Sequence, residues 1–205
     1  MSYKLTYFNL TALGEPIRLI LHYGKINFED NRIEYGDDWP TVKQTLPLPY
    51  GQMPILEHDG KLAHQSLAIC RYVAKLAKLV GENDWENLEI DAAADTVNDF
   101  RQKIGQFSYE KDPDVKEKKK EALFGEILPY YVEKLEEQIK NNNGYLAAGK
   151  LTWADLYLVG ILDYLNWMLG KDLLEEAPQM KALYEKVRGI PEIKAYIDQR
   201  PKTMM

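Results

Sequence analysis

Two periods of apolar residues divide the first 80 residues into short elements. Short alternating or continuous apolar runs predict strands, whereas apolar positions three and four residues apart predict helices. The order predicted in this way is β-α-β, a short helix, then β-β-α. Strands are expected at 4–8, 27–33, 53–57 and 61–64, and the longer helices at about 14–24 and 66–79. The Asp59-Gly60 pair predicts a hairpin between the last two strands.

The rest of the chain carries helical patterns alone. Amphipathic stretches run from about 85 to 109, 115 to 140, 153 to 168 and 178 to 199, with a break at 189–191. Thr152 and Asp155 have the spacing of a capping box, which predicts that a helix begins there. Because the composition changes at 80–84, we expect an α/β domain over residues 1–80 and an all-helical domain over residues 85–205.

The composition excludes several classes of function. Of the 205 residues, 45% are hydrophobic, which indicates a packed core rather than disorder. The net charge of −6 argues against nucleic acid as a partner, because phosphate binding needs clustered Lys and Arg. The sequence carries no apolar run long enough for a signal peptide or a membrane span. A cytoplasmic protein without a membrane partner is therefore expected.

The cysteine and histidine content indicates neither disulfide nor metal chemistry. Cys70 is the only cysteine, so an intrachain disulfide is impossible, and it lies on the apolar stripe of a predicted helix. We expect a buried, unreactive thiol there. His22, His58 and His64 lack the spacing of metal ligands, so no metal site is expected.

Three local features could together hold a small anionic peptide and polarise its thiol. Tyr7 lies near the end of the first strand, Pro54 enters the third strand, and Gln65-Ser66 precedes a helix. A phenol that donates to sulfur favours the thiolate and lowers a thiol pKa that is otherwise about 8.5. A helix N-terminus binds carboxylates through its free N–H groups and its dipole. Taken singly, these residues also fit a packed tyrosine, a trans proline and an N-cap serine.

The whole chain resembles the cytosolic glutathione transferases, and most closely their sigma class. The resemblance implies an α/β N-terminal thioredoxin-like domain followed by an all-α C-terminal domain. It also implies a cytoplasmic homodimer that conjugates reduced glutathione, its co-substrate, to small electrophiles without a bound cofactor. Lipid-peroxidation aldehydes and organic hydroperoxides are further substrates that it suggests. The segments that carry the resemblance are Tyr3–Phe8, Trp39-Pro40, His64–Ile69, Leu151–Asp155 and Arg200–Thr203.

The resemblance further implies roles for individual residues. Tyr7 becomes the catalytic residue whose hydroxyl stabilises the glutathione thiolate. Pro54 becomes a cis-proline that presents the backbone of Met53 to the cysteinyl part of glutathione. Asp99, which shares a helix face with Asp95, is expected to reach the glutamyl end of glutathione bound by the partner subunit. The other glutathione contacts implied are Phe8, Leu13, Trp39, Lys43, Gly51, Gln52, Gln65 and Ser66.

The expected electrophile pocket departs from that of the prostaglandin D synthase branch of the family. Its lining positions are Leu13, Arg101, Gln106 and Tyr157. Leu13 replaces an arginine of that branch and Gln106 replaces a tryptophan, so its isomerase activity is not expected to carry over. Asn98 replaces an aspartate, which argues against activation by divalent metals. The turn at 46–50 is two residues longer than is usual in the family.

Two alternative functions remain open at the level of sequence. A non-catalytic relative, such as a lens crystallin or a carrier of apolar ligands, would keep the fold, although Tyr7, Gln65 and Ser66 argue against it. A prostaglandin D synthase-type isomerase would use the same glutathione site with a different second substrate. The identity of the electrophile is not encoded in any motif of the chain.

Overall fold

The computed structural model describes residues 3–36 and 39–203. Its strands are β1 (Tyr3–Phe8), β2 (Phe28–Ile33), β3 (Ile55–His58) and β4 (Lys61–His64). The α-helices of the described residues are α1 (Glu15–Tyr23), α2 (Trp39–Thr45), α3 (Ser66–Leu76), α4 (Asp84–Ser108), α5 (Pro113–Ala122), α6 (Leu128–Asn141), α7 (Trp153–Leu169), α8 (Pro178–Arg188) and α9 (Pro191–Gln199). Short 3₁₀ turns lie at Ala12–Gly14, Pro49–Gly51 and Leu173–Glu175.

The strands form one sheet in the order β2-β1-β3-β4. β1 is parallel to β2 and antiparallel to β3, so Leu5 lies between Asp30 and Leu56. A parallel pair needs a crossover, and α1 supplies it. The predicted thioredoxin-like α/β half followed by a helical half is confirmed. The pairing with β3 ends at Thr6, and the backbone of Tyr7 is fixed by its pairing with Arg32 of β2.

α7 is the central helix of the second half. Most of its residues are buried, from Trp153 to Leu169, as expected for a helix that is apolar on nearly every side. It contacts α4 and also α1 of the first half. A Cβ added to Gly160 would lie 2.8 Å from the backbone N and Cα of Pro16, so this glycine permits the close approach of α7 to α1. The division of the chain into domains at 80–85 stays a prediction.

The stretch predicted as one helix at 115–140 is divided in the structure. α5 ends at Ala122, a π-helical segment covers Leu123–Ile127, and α6 follows. The physical reason is Pro129, which has no N–H to donate to the C=O of Gly125 and whose ring crowds that carbonyl. One wider π turn accommodates the proline without ending the helical path.

The capping box predicted at the start of α7 is confirmed. The carboxylate of Asp155 accepts from the N–H of Thr152 at 2.7 Å and from the Thr152 hydroxyl at 3.1 Å. It also accepts from the N–H of Leu146 at 2.7 Å, which ties the preceding loop to the helix. Burial raises the pKa of Asp155 to about 6, although these hydrogen bonds act in the opposite direction.

Two further expectations concern the interior and the surface. Cys70 is fully buried, as predicted, and burial raises the pKa of its thiol. Among residues 3–36 and 39–203, no three His, Cys, Asp or Glu side chains come together as a potential metal site. Within the same ranges, no helix combines the length and apolarity needed to cross a bilayer.

Candidate functional site

A cavity of about 290 Å³ lies between the two halves of the molecule. The β3 and α3 ends of the first half and the middle of α4 form its walls. Six of the predicted site residues meet here, together with five that the sequence did not single out as lining. The predicted ones are Leu13, Gln52, Met53, Gln65, Ser66 and Arg101. The others are Pro54, His64, Leu67, Asn98 and Gln102.

Tyr7 lies beside this cavity rather than in its wall, and its side chain is only 6% exposed. Its hydroxyl accepts a hydrogen bond of 3.3 Å from the N–H of Leu13, which does line the cavity. Burial raises the pKa of Tyr7 to about 12, while the Leu13 N–H and the Arg18 and Arg101 cations act in the lowering direction. The phenol is therefore neutral at pH 7, with its proton available to an acceptor.

The turn after β1 is shaped around the Tyr7 ring. A Cβ added to Gly14 would lie 2.4 Å from Cδ1 of Tyr7 and 2.8 Å from Cγ, distances that atoms do not adopt. Gly14 is buried, so the ring packs directly against its backbone. The absence of a side chain at this position is what lets Tyr7 occupy its place.

The wall formed by β3 and α3 presents backbone groups. The Met53–Pro54 peptide bond is cis, as predicted. Gln65 has φ 72°, in the left-handed region that non-glycine residues rarely adopt, and it directly precedes α3. Its side chain makes no capping hydrogen bond to the helix. The N-terminus of α3 at Ser66 thus opens toward the cavity, where its dipole favours an anion.

Four of the predicted glutathione contacts lie at the flank of the cavity. The rings of Phe8 and Trp39 meet edge to face, with centroids 4.7 Å apart, and Phe8 also contacts Tyr7 at 5.7 Å. Lys43 lies over Gly51, whose φ of +63° suits glycine, and a Cβ there would be 3.1 Å from the Lys43 Nζ. This group supplies an ammonium and an indole N–H next to the cavity, but not within its lining.

The turn at 46–50 ends against the cavity wall. Tyr50 has φ 56° and is 85% exposed, and its ring centroid lies 5.1 Å from that of His64, a lining residue. The turn therefore places an aromatic ring at the rim of the site.

Asn98 accepts two side-chain hydrogen bonds in the wall that α4 forms. Its Oδ1 accepts from Arg101 Nε at 3.0 Å and from the Tyr157 hydroxyl at 3.1 Å. Tyr157 is fully buried, and burial raises its pKa, so it supports the wall through Asn98 rather than lining the cavity. Gln106 is exposed and lies outside the lining. Asp99 is also exposed and accepts from Gln102 at 3.4 Å.

Two tyrosines that the sequence did not single out lie near Tyr7. The hydroxyls of Tyr109 and Tyr164 are 2.8 Å apart, and the ring of Tyr164 stacks on that of Trp167 with centroids 6.3 Å apart. Tyr7 interacts electrostatically with both tyrosines, each of which opposes ionisation of its neighbours. The sequence signal for Tyr109 is its place four residues after Gly105 and directly after the last residue of α4. Tyr164 has no comparable local signal.

The chain is similar to known proteins over nearly its whole length. Residues 3–75 match the model of the glutathione S-transferase N-terminal domain, and residues 98–200 match that of the C-terminal domain. A glutathione S-transferase of Anopheles gambiae is 51% identical over 202 residues, covering 98% of each chain. Hematopoietic prostaglandin D synthase of Homo sapiens is 40% identical over 208 residues, covering 100% of this chain and 99% of that protein.

The similarity extends to solved structures. That of prostaglandin synthase D of Nilaparvata lugens has a TM-score of 0.91 and 49% identity, and it covers 99% of this chain and 100% of the other. Members of the matched family are enzymes with glutathione as co-substrate and no prosthetic group. The relatives and the fold together show that this chain belongs to the glutathione S-transferase family.

Proposed function

We propose that the protein is a sigma-class glutathione transferase that conjugates the thiol of glutathione to small electrophiles. The observation that carries the proposal is the state of Tyr7. This phenol is buried and neutral, and its oxygen accepts the N–H of Leu13. Because the acceptor side of the oxygen is occupied, the hydroxyl proton is free to be donated to a sulfur in the neighbouring cavity.

The bound tripeptide would follow the groups that surround the cavity. The N-terminus of α3 at Gln65 and Ser66 suits the glutamyl carboxylate, and the backbone of Met53 suits the cysteinyl peptide group as an added strand would. Trp39 and Lys43 offer an indole N–H and an ammonium to the glycine carboxylate. Phe8, Leu13, Gly51 and Gln52 complete this set of contacts.

The chemistry assigned to Tyr7 is stabilisation of charge. The Tyr7 hydroxyl donates to the glutathione sulfur, which favours the thiolate over the thiol. The thiol proton passes to solvent, and the thiolate attacks the electrophilic carbon. A carbon–sulfur bond forms as the carbon–carbon double bond of an unsaturated aldehyde opens and takes a proton from water, or as a leaving group departs with its electron pair. Fixed donors of this kind act strongly in a site from which water is excluded. Tyr7 itself stays protonated throughout, in keeping with a pKa of about 12.

The second substrate would meet a wall of mixed polarity. Arg101, held by Asn98, lines the cavity together with the apolar Leu13. The paired hydroxyls of Tyr109 and Tyr164 belong to residues that interact electrostatically with Tyr7. Such a wall suits small electrophiles that carry a polarised oxygen, among them the aldehydes of lipid peroxidation. Organic hydroperoxides are a second class for the same thiolate.

We further propose a cytoplasmic homodimer in which the Asp99 carboxylate reaches the glutamyl ammonium group in the partner's site. Asp99 is exposed near the middle of α4, on the same face as Asp95 one turn earlier. In an isologous interface each subunit gives the other the same group. An exposed carboxylate on a helix face is suited to that role.

The test of the thiolate role is Tyr7→Phe, which removes one hydroxyl and keeps the ring. We expect kcat for conjugation to fall by roughly 10- to 1000-fold, the range for losing one electrostatic donor. The dissociation constant of glutathione should change little. Tyr130→Phe is the matched control, because Tyr130 is 58% exposed on α6. Turnover near the wild-type value in Tyr7→Phe would exclude Tyr7 as the activating group.

A prostaglandin D synthase-type isomerase is the second candidate, favoured by the names of several relatives. Leu13, which lines the cavity at the position where that branch of the family has an arginine, argues against it. One panel separates the two functions: conjugation of small unsaturated aldehydes, reduction of organic hydroperoxides and isomerisation of prostaglandin H2. We expect conjugation to be fastest. Isomerisation at rates matching conjugation would overturn this order, and binding without turnover of any substrate would point to a carrier.

A further inference from the structure

Arg18 is a buried cation that holds the chain on the C-terminal side of Tyr7. Its side chain is wholly buried on α1. One terminal nitrogen donates to the C=O of Leu10 at 2.7 Å, and the other donates to the C=O of Phe8 at 3.2 Å. These carbonyls lie one and three residues after Tyr7, where β1 leaves the sheet. The guanidinium therefore holds, through two hydrogen bonds, the turn that places Tyr7 beside Leu13.

Carboxylates on two elements fix the guanidinium itself. Arg18 Nε donates to Asp30 of β2 at 3.0 Å, and a terminal nitrogen lies 3.4 Å from Glu15 of α1. Glu15 also accepts from the Tyr196 hydroxyl of α9 at 2.9 Å and from Arg200. The planar fork of arginine satisfies all these acceptors at once, which the single ammonium of lysine cannot do.

The same cation acts on the Tyr7 phenol. Its guanidinium carbon lies 5.9 Å from the centroid of the Tyr7 ring, within the range of a cation–π contact. Arg18 also acts to lower the pKa of Tyr7, as does Arg101 of α4, whereas Tyr109 opposes them. The charged and titratable neighbours of Tyr7 and Arg18 are Arg101 and Tyr109 near the phenol, and Asp30, Glu15 and Tyr196 around the guanidinium.

We propose that Arg18 is a positioning residue for thiol activation: it holds the Phe8–Leu10 turn so that the Tyr7 hydroxyl points at the glutathione sulfur. This inference rests on the proposed function, since it assigns Arg18 an effect that passes through Tyr7. Arg18 does not line the cavity and touches no substrate. Small displacements of a catalytic group by distant changes can cost about a hundredfold in rate.

The experiment is a double-mutant cycle of Arg18→Lys with Tyr7→Phe. Arg18→Lys keeps the positive charge but loses the planar set of N–H donors of the guanidinium. In the wild-type background we expect kcat to fall about tenfold or more, the pKa of the bound glutathione thiol to rise and the glutathione KM to stay similar. In the Tyr7→Phe background the same substitution should change kcat less than about twofold, because the group that it positions is already absent.

Arg71→Lys is the matched control. Arg71 Nε donates to Asp91 at 2.8 Å, and its guanidinium carbon lies 5.4 Å from the centroid of the Trp153 ring, so it makes a carboxylate bond and a cation–π contact of the same kind away from the Phe8–Leu10 turn. We expect it to leave the thiol pKa and kcat within about twofold of wild type. If Arg18→Lys does not fold, Asp30→Asn is the second variant, since Asp30 is 23% exposed and accepts only the Nε bond among the hydrogen bonds that Arg18 donates. It should give a smaller shift in the same direction.

The outcomes separate this inference from the proposed function. No effect of Tyr7→Phe would refute the thiolate role itself. A strong effect of Tyr7→Phe, with equal losses from Arg18→Lys in both backgrounds, would refute the positioning role and leave the proposed function standing. A lower thermal midpoint without any change in the thiol pKa would mean that Arg18 only stabilises the fold, and would also overturn the inference.

Discussion

At the scale of single residues, Gly14 limits where Tyr7 can lie. Gly14→Ala would place a methyl group 2.4 Å from Tyr7 Cδ1, so the ring must move. We expect a loss of about 1–3 kcal/mol in the free energy of unfolding, typical of overpacking, together with a lower kcat. Denaturant unfolding and steady-state kinetics measure the two effects.

The control for Gly14→Ala is the same substitution at Gly105. A Cβ there meets nothing within 4 Å, and Gly105 lies inside α4. Alanine should therefore stabilise the helix by about 0.5–1 kcal/mol. If Gly14→Ala is as stable and active as wild type, the packing of Tyr7 on Gly14 does not position the hydroxyl.

Site residues that have a distinctive local context could be predicted, and those defined by long-range contacts could not. Tyr7 at a strand end and Ser66 at a helix start are identifiable from neighbouring residues. Tyr109 and Tyr164 are 55 residues apart, and their hydroxyls meet only after α4 has packed near α7. Tyr157 seemed a lining residue, but its hydroxyl turns to Asn98, 59 residues away.

At the scale of elements, the Asp155 cap makes stability depend on pH. The pKa of Asp155 is about 6 in the folded chain, above the value of about 3.9 in an unfolded one. The folded state thus binds more protons between these pH values. The contribution of Asp155 to the free energy of unfolding is therefore complete below about pH 4 and is lost as the pH rises through 6. The expected loss approaches about 3 kcal/mol.

The comparison that isolates this contribution is wild type against Asp155→Asn, by denaturant unfolding from pH 4 to 7. Asparagine cannot titrate, so the stability of wild type minus that of the variant should fall across this range. A difference that grows with pH would mean that the three hydrogen bonds to the carboxylate outweigh its burial.

Most elements were predictable because capping residues and periodicity agree. α7 begins at Trp153, directly after its predicted cap, and α1 lies between Gly14 and Gly24 as expected. The π-helical segment before Pro129 was not predicted, because an apolar period of 3.6 continues through it. A proline inside such an apolar pattern shows that the hydrogen bonds of the helix must change there. It does not show whether the helix kinks, ends or widens.

At the scale of the whole molecule, the proposed shared site predicts complementation between two impaired variants. Asp99→Ala should raise the KM for glutathione, and Tyr7→Phe should lower kcat. A heterodimer of one chain of each carries both defects in one site and neither in the other. With glutathione held near the wild-type KM, purified heterodimers should therefore show about half the activity of the wild-type dimer and more than either homodimer.

The controls are the two homodimers, each assayed alone, and the sedimentation of the wild-type chain. A monomer in solution, or purified heterodimers no more active than the better homodimer, would mean that Asp99 acts within its own chain or not at all. Symmetry between copies is outside what one sequence encodes locally, so this part of the site rests on the resemblance to the family.

The most direct test of the central claim is titration of the glutathione thiol on the protein, followed by the ultraviolet absorbance of the thiolate. For wild type we expect a thiol pKa at least about one unit below the value of about 8.5 for a free thiol. In Tyr7→Phe the thiol pKa should return toward the free value, with glutathione still bound. Identical thiol pKa values in the two complexes would contradict the claim that the Tyr7 hydroxyl activates glutathione.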